Sequence, residues 1–492
     1  MGLSVRGESK LLARHSIVYG LGNMLSKVVG FLMLPIYTRF LSPKDYGTLE
    51  LLTLTSEVIA IIISGRISSG IARFYFQYDD DGDRAAVITT SIIGVAVLSG
   101  VGIIVACYFR NRISSLVLHD SSLGYFFLIA FVGLWISLVS EIGFLYLRII
   151  KSSGRFIGWS LAKLVLALSM NIYFVVVVKS GVIGILYSRV IAGSFIIVTL
   201  VLPLLYRMDI RISKAKLLEL LRFSIPLVPA SLANMVVLVS DRFFLGSIVS
   251  LGEVGIYSLA NRFAVIPGYF ISAPFMQIWT VRRLEVYKEP NSEEVMGTVF
   301  TYFCLLMVAV GLSVAIFAKD AIQIMAAKEF WNAWRLVPIL VIAQVVLSFF
   351  QHFNMGILIS KKTKYFLIID SVNACIALFL YYMLIPRYGA LGTAIGSLVA
   401  YTFRVLLVYI ITIRFYRIHV EIVRILKIFT TGALVYLGCM WISSPSIWGM
   451  VGPKLLILSC FPLLLLTLGF FNQAELGFIK NIVKKRLCND NR

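Results

Sequence analysis

Charge is scarce in this sequence. Lys, Arg, Asp and Glu make up 14% of 492 residues, against 59% apolar ones. Soluble domains carry about 25% charged residues. A water-soluble fold of this composition is excluded, because it could not hide so much apolar surface, whereas a bilayer accepts it. Acidic charge is scarcer still, with 24 Asp and Glu against 45 Lys and Arg, for a net charge of +21. The basic residues stand in short clusters between apolar runs, not in patches interleaved with aromatics. That excludes nucleic acid as a partner and matches the positive-inside pattern of membrane proteins. Cysteine is sparse: Cys107, Cys304, Cys375, Cys439, Cys460 and Cys488 are scattered and form no C-x-x-C. Neither a disulfide framework nor a zinc site is expected, so no metal cofactor is assigned. The run after Arg6, Lys10 and Arg14 lacks a small-residue cleavage site, so no signal peptide is expected. No segment is hydrophilic enough to hold a soluble domain.

What the chain does contain is apolar runs. A span needs about 20 mostly apolar residues in succession, and about fourteen such runs follow one another from 15–40 and 46–74 to 454–471. The fold class is therefore an all-α polytopic membrane protein. Every second loop is basic: Arg148/Lys151/Arg155, Arg207/Arg211/Lys214/Lys216/Arg222, Arg282/Arg283/Lys288, Lys361/Lys362/Lys364 and Arg414/Arg417/Arg424/Lys427. Loops between them carry far less basic charge, so both termini are expected in the cytoplasm.

The chain repeats itself. Arg14 matches Arg222, Ser16 Ser224, Ser42 Ser250, Asp45 Glu253, Gly47 Gly255 and Leu51 Leu259, always 208 positions apart. The same offset joins "KSGVIG" (Lys179, Gly181, Gly184) to "RYGALG" (Arg387, Gly389, Gly392). An even number of spans separates the copies, so they share one orientation. Parallel repeats related by an axis along the membrane normal are a transporter architecture. The expected divisions are an N-lobe of six helices (1–210), a C-lobe of six (211–418), and two additional helices with a basic cytoplasmic tail (419–492). Gly392-x-x-x-Gly396 reads as packing inside a lobe.

Ionisable residues in hydrocarbon are costly and face a bundle interior or a watery path. Here they include Lys27, Glu57, Arg66, Arg73, Glu141, Lys163, Arg189, Asp241, Arg242, Arg262, Asp370 and Arg404. They form stripes: Tyr19, Asn23 and Lys27; Glu50, Thr53, Glu57 and Ser64; Ser224, Ser231, Asn234, Asp241 and Arg242. Polar contacts between helices would also produce stripes. Cations prevail in the lobe-facing spans, so Lys27, Arg66, Arg73, Arg242 and Arg262 are the expected substrate-binding set. Such a path suits an anionic cargo, because Arg grips phosphate bidentately. Glu57 and Asp241 are candidate proton carriers.

"LPIYTRFLSPKDYGTLELL" (Leu34–Leu52), "VSDRFFLGSIVSLGEVGIYSLANRF" (Val239–Phe263) and "LIPRYGALGTAIGSLVAY" (Leu384–Tyr401) resemble the polysaccharide-biosynthesis flippases. These belong to the multidrug/oligosaccharidyl-lipid/polysaccharide exporter superfamily. The resemblance covers essentially the whole chain. It implies that an undecaprenyl-diphosphate-linked oligosaccharide, such as an O-antigen or other lipopolysaccharide unit, crosses a bacterial inner membrane by alternating access. It implies a V-shaped central cavity between the lobes, two extra helices beside a groove for the lipid tail, and glycan polymerase and glycosyltransferases as partners. Related peptidoglycan-precursor flippases hold sodium between spans 7, 11 and 12. The matching positions here are Asp241, Asp370, Asn373 and Thr393, although the spacing in the eleventh span departs from that pattern. The coupling ion stays open between Na⁺ and H⁺.

Two other readings compete. A multidrug exporter of the same superfamily would share the fold, but would favour a path lined by carboxylates. A membrane prenyl- or glycosyltransferase is raised by "DDDGDR" (Asp79–Arg84), the one acidic cluster. Asp-rich prenyltransferases hold Mg²⁺ and diphosphate between two such loops, and "RRLEVYKEPNSEE" (Arg282–Glu294) is no second one. An EF-hand also fails, with Gly82 at position 4 and Thr90 at position 12. The cluster reads as a solvated cytoplasmic turn. It would meet Arg282 and Arg283 when the cavity closes inward, and Arg73, on the same helix face as Arg66, marks the cavity mouth.

Overall fold

The computed structural model of the chain describes residues 30–442, 447–472 and 475. Among the described residues there is no strand. Among these residues eleven helices are long and apolar enough to cross a membrane. They are α1 (Pro43–Ile63), α2 (Asp81–Tyr108), α3 (Ser121–Ile149), α4 (Ser153–Val177), α5 (Gly181–Arg207), α6 (Lys214–Ile248), α7 (Leu251–Val286), α8 (Ser292–Met325), α9 (Val337–Ile359), α10 (Lys364–Thr412) and α11 (Ile422–Met440). A shorter apolar helix, α12 (Val451–Thr467), follows. The 49 residues of α10 exceed one bilayer crossing. They divide at Gly389, whose φ of 56° and ψ of −133° no helix admits, into the two spans expected near 365–386 and 390–413. The first expected span, 15–40, lies mostly outside the described residues.

The helices turn apolar side chains outward. On α2, Val97, Val101, Ile104, Val105 and Tyr108 form one exposed stripe at helical spacing. Water would penalise this surface and acyl chains do not. Several hydroxyls are satisfied within their own helix: those of Thr55, Ser91 and Ser188 donate to the carbonyls of Leu51, Val87 and Gly184, at 2.7–2.8 Å. The chain is a multi-pass membrane protein.

Local sequence sets the helix starts. Ser42 caps α1 in a capping box with Asp45, with Pro43 in the first turn. Its mate Ser250, 208 positions on, accepts from the Glu253 amide at the start of α7 (3.2 Å). Gly181 and Gly389, also mates, both take positive φ, 59° and 56°. The repeat thus reappears in backbone geometry. Asp80 caps α2 through the Asp83 amide (3.0 Å). The charge of Asp83 is met by Lys216 Nζ at 2.7 Å and that of Asp81 by Arg84 at 3.3 Å. The acidic cluster is a helix cap and its ion pairs.

The expected continuous span 46–74 is broken. α1 ends at Ile63, Gly65 and Arg66 adopt φ of 53° and 57°, and a helix resumes over Ser68–Tyr75. The run Ser64-Gly65 supplies the conformational freedom. Arg66 lies in the break, so it shares no helix face with Arg73.

The chain forms two compact units. The first takes residues up to Arg262 together with Ile322–Leu336 and Thr363–Arg404, and the second takes the remainder. In the second unit, a buried ion pair joins Lys454 of α12 to Asp320 of α8 at 2.5 Å. Arg424 of α11 reaches Glu421 and Glu475, both at 3.0 Å, and stacks 4.5 Å over the Phe470 ring.

Candidate functional site

Adjacent residues on a helix point about 100° apart and do not face each other. Asp241 and Arg242 on α6 nevertheless pair, because the Arg stem is long enough to fold back. Arg242 Nη1 lies 3.0 Å from Asp241 Oδ1 and donates to the Leu238 carbonyl at 3.0 Å. The Tyr257 hydroxyl of α7 donates to Asp241 Oδ2 at 2.8 Å. Hydroxyl contacts continue to Ser397 (3.4 Å) and from there to Tyr381 (3.0 Å), both on α10. All are buried. A buried carboxylate is tolerated when paired and hydrogen-bonded, and this one is both.

Glu50 of α1 stands between two cations. Its Oε1 is 3.7 Å from Arg242 Nε and its Oε2 is 3.5 Å from Arg262 Nη2. Arg262 is half exposed, although α7 carries it into a span, and its guanidinium lies 6.0 Å over the Tyr46 ring. Arg242 Nε is buried with no hydrogen-bond partner among the described residues. The cluster therefore holds one guanidinium with an unused donor and a second that is half exposed.

A cavity of about 260 Å³ opens among α1, α3, α4 and α5. Thr53, Ser56, Glu57, Ser137, Lys163 and Arg189 supply its polar lining. Arg189 Nη1 donates to Thr53 Oγ1 at 3.1 Å. A third polar group joins Asp370 and Arg404, both on α10, through bonds of 2.7 and 3.0 Å. Arg404 also reaches Asn234 of α6 at 3.3 Å.

Of the five expected substrate-binding cations, Arg242 and Arg262 meet at Glu50. Arg66 is half-buried in the helix break, with its Nε unpartnered among the described residues. Arg73 is exposed, 4.9 Å over the Phe223 ring. Lys27 lies outside the described residues. Of the ion-coupling candidates, Glu57 lines the cavity, while Asp241 and Asp370 each hold an arginine. Asn373 is fully buried with neither amide atom partnered among the described residues, and the Thr393 hydroxyl donates to the Gly389 carbonyl at 3.1 Å. Among the described residues no three His, Cys, Asp or Glu converge as metal ligands. Sequence reasoning left Glu50 and Arg189 unassigned. The signal for Glu50 was its place in the α1 stripe with Thr53 and Glu57.

Residues 12–280, more than half the chain, match the family described as polysaccharide biosynthesis protein. The chain belongs to this family. The succinoglycan biosynthesis transport protein of Rhizobium meliloti is 21% identical over 326 residues, which span 65% of this chain and 63% of that protein. A putative protein of the Lsg locus of Haemophilus influenzae is 31% identical over 91 residues, 18% of this chain and 23% of its own length. Among solved structures, the lipid II flippase MurJ in an inward closed conformation superposes with a TM-score of 0.73 at 13% identity, covering 91% of this chain and 98% of that one. An inward-facing multidrug resistance MATE transporter of the MOP superfamily gives 0.63 at 15% identity, covering 78% and 93%. At such identities these likenesses establish the fold this family member adopts.

Proposed function

We propose that this protein is a flippase. It moves a polyprenyl-diphosphate-linked oligosaccharide from the cytoplasmic to the outer leaflet of a bacterial inner membrane, with both of its termini in the cytoplasm. The observation that carries the reading is the pair of guanidiniums at Glu50, one half exposed, within spans that are mostly apolar. Phosphate offers Arg short, charge-assisted, bidentate bonds. Arg66 and Arg73 receive the diphosphate first, Arg242 and Arg262 hold it further on, and the polyprenyl tail stays in lipid. Lobes of residues 1–210 and 211–418 alternate access, and Glu57, in its cavity, takes up the coupling proton. No covalent bond changes, so no catalytic residue is assigned. Glycosyltransferases and a polymerase would supply and consume the cargo.

The likeness to a multidrug transporter favours a second reading, export of drug cations. A cationic drug needs an unpaired carboxylate. Asp241 and Asp370 are both occupied by arginines, Glu50 faces two, and Glu57 shares its cavity with Lys163 and Arg189. The anionic cargo therefore suits the site better.

The test is surface glycan in cells carrying Arg66→Ala, Arg73→Ala or Arg262→Ala at equal protein level. Each is expected to lower it severalfold or more, with drug resistance unchanged. Wild-type glycan in all three would overturn the reading.

A further inference from the structure

Glu50 sits where a cargo anion would sit. It reaches both guanidiniums, yet only at 3.5 and 3.7 Å, whereas Arg404 holds Asp370 at 2.7 Å. Charge-assisted bonds usually run about 2.7–2.9 Å. Glu50 is thus a loose ligand, and one Arg nitrogen beside it is unused among the described residues.

The same carboxylate clasps a helix seam. Gly47 lies three residues before Glu50 on α1, and Gly255 seven before Arg262 on α7. A Cβ at Gly47 would run into the Leu251 carbonyl oxygen, and a Cβ at Gly255 into that of Pro43. These are backbone-to-backbone contacts, reciprocal under the 208-residue repeat, since Pro43 and Leu251 are themselves mates. Only glycine permits them. About one turn further along α1 and two along α7, the Glu50–Arg262 contact ties the two helices together. Ser258, the mate of Glu50, lies three residues after Gly255 on the same face of α7 and is 1% exposed.

We propose that Glu50 is an internal counter-anion that keeps the α1–α7 seam shut, and that a diphosphate displaces it. This rests on the cargo reading above. A diphosphate would take Arg242 and Arg262 with shorter, bidentate bonds. Glu50 would then be a bare carboxylate in a span, which is unfavourable while the seam is dry. Opening the seam hydrates it. The anion binds the unlatched state better than the latched one, and that differential affinity is what shifts the equilibrium. Arrival of cargo thereby releases the contact that opposes opening.

The experiment uses the full chain in nanodiscs, with native cysteines replaced by serine and Ser258→Cys as reporter, labelled by a hydrophilic maleimide. Inorganic pyrophosphate is the probe, and its binding is followed by calorimetry. Glu50→Gln should speed labelling about fivefold without probe, as expected for loss of one partly exposed ion pair. Pyrophosphate should speed labelling of the Glu50 protein and leave Glu50→Gln unchanged. The probe's effect on the Glu50 protein needs no Glu50 variant, so poor folding of Glu50→Gln would not remove the test. Unaltered labelling in Glu50→Gln, or equal acceleration of both proteins, overturns the latch. Pyrophosphate that binds without changing labelling overturns the latch and leaves the cargo reading standing. If it neither binds nor changes labelling, the cargo reading fails, and the latch proposal with it.

Discussion

Asp241 accepts from the Arg242 amide at 2.8 Å, the Arg242 guanidinium at 3.0 Å and the Tyr257 hydroxyl at 2.8 Å. Among the described residues the Glu50 carboxylate has no charged partner closer than 3.5 Å. The two carboxylates should therefore respond differently to neutralisation. Asp241→Asn leaves the buried Arg242 with Glu50, at 3.7 Å, as its nearest carboxylate, and losing one partner of a buried pair costs about 3–5 kcal/mol. Glu50→Gln removes a looser, partly exposed contact worth about 0–1 kcal/mol. Thermal unfolding of purified protein should show a marked fall in Tm for the first and little change for the second. Comparable Tm values would mean that Asp241 is not the structural carboxylate. Sequence reasoning found Asp241, Arg242 and Arg262 as ionisable groups inside spans. It could not find their mutual geometry, because Glu50 and Arg242 are 192 positions apart and helical periodicity separates neighbours such as Asp241 and Arg242.

Elements were more legible than contacts. Apolar runs located the spans, since the length a bilayer demands is fixed. The repeat offset paired Ser42 with Ser250 and Gly181 with Gly389, and the structure gives the first pair equivalent caps and the second equivalent positive φ. The break after Ile63 was visible only as a Gly- and Ser-bearing stretch, because propensity marks where a helix can loosen and not where it stops. Two glycines separate two kinds of constraint. At Gly389 a Cβ meets nothing within 4 Å, so Gly389→Ala is opposed by backbone conformation alone, about 1–3 kcal/mol. At Gly47 the conformation is helical and the obstacle is a neighbouring backbone. Gly47→Ala should therefore expose Ser258→Cys to maleimide while Gly389→Ala does not, even if both lower Tm. Equal labelling of the two would sink this distinction.

For the whole molecule, the uneven distribution of basic loops predicts one orientation. A reporter tag after Lys288 should be shielded in intact cells, and one after Val249 should be reachable from outside. The opposite pattern would invert the chain and with it the direction assigned to transport. The α1–α7 seam carries a further consequence. It is an isologous contact inside a single polypeptide: each glycine faces the other copy's helix start, so neither belongs to one half alone. Enlarging either residue pries the helices apart for both. The second enlargement should then cost far less than the first. A double-mutant cycle of Gly47→Ala and Gly255→Ala should show strong coupling where distant sites would add. The duplicated halves would thus share one position in their energetics, and a change in either copy would relax the constraint on its mate.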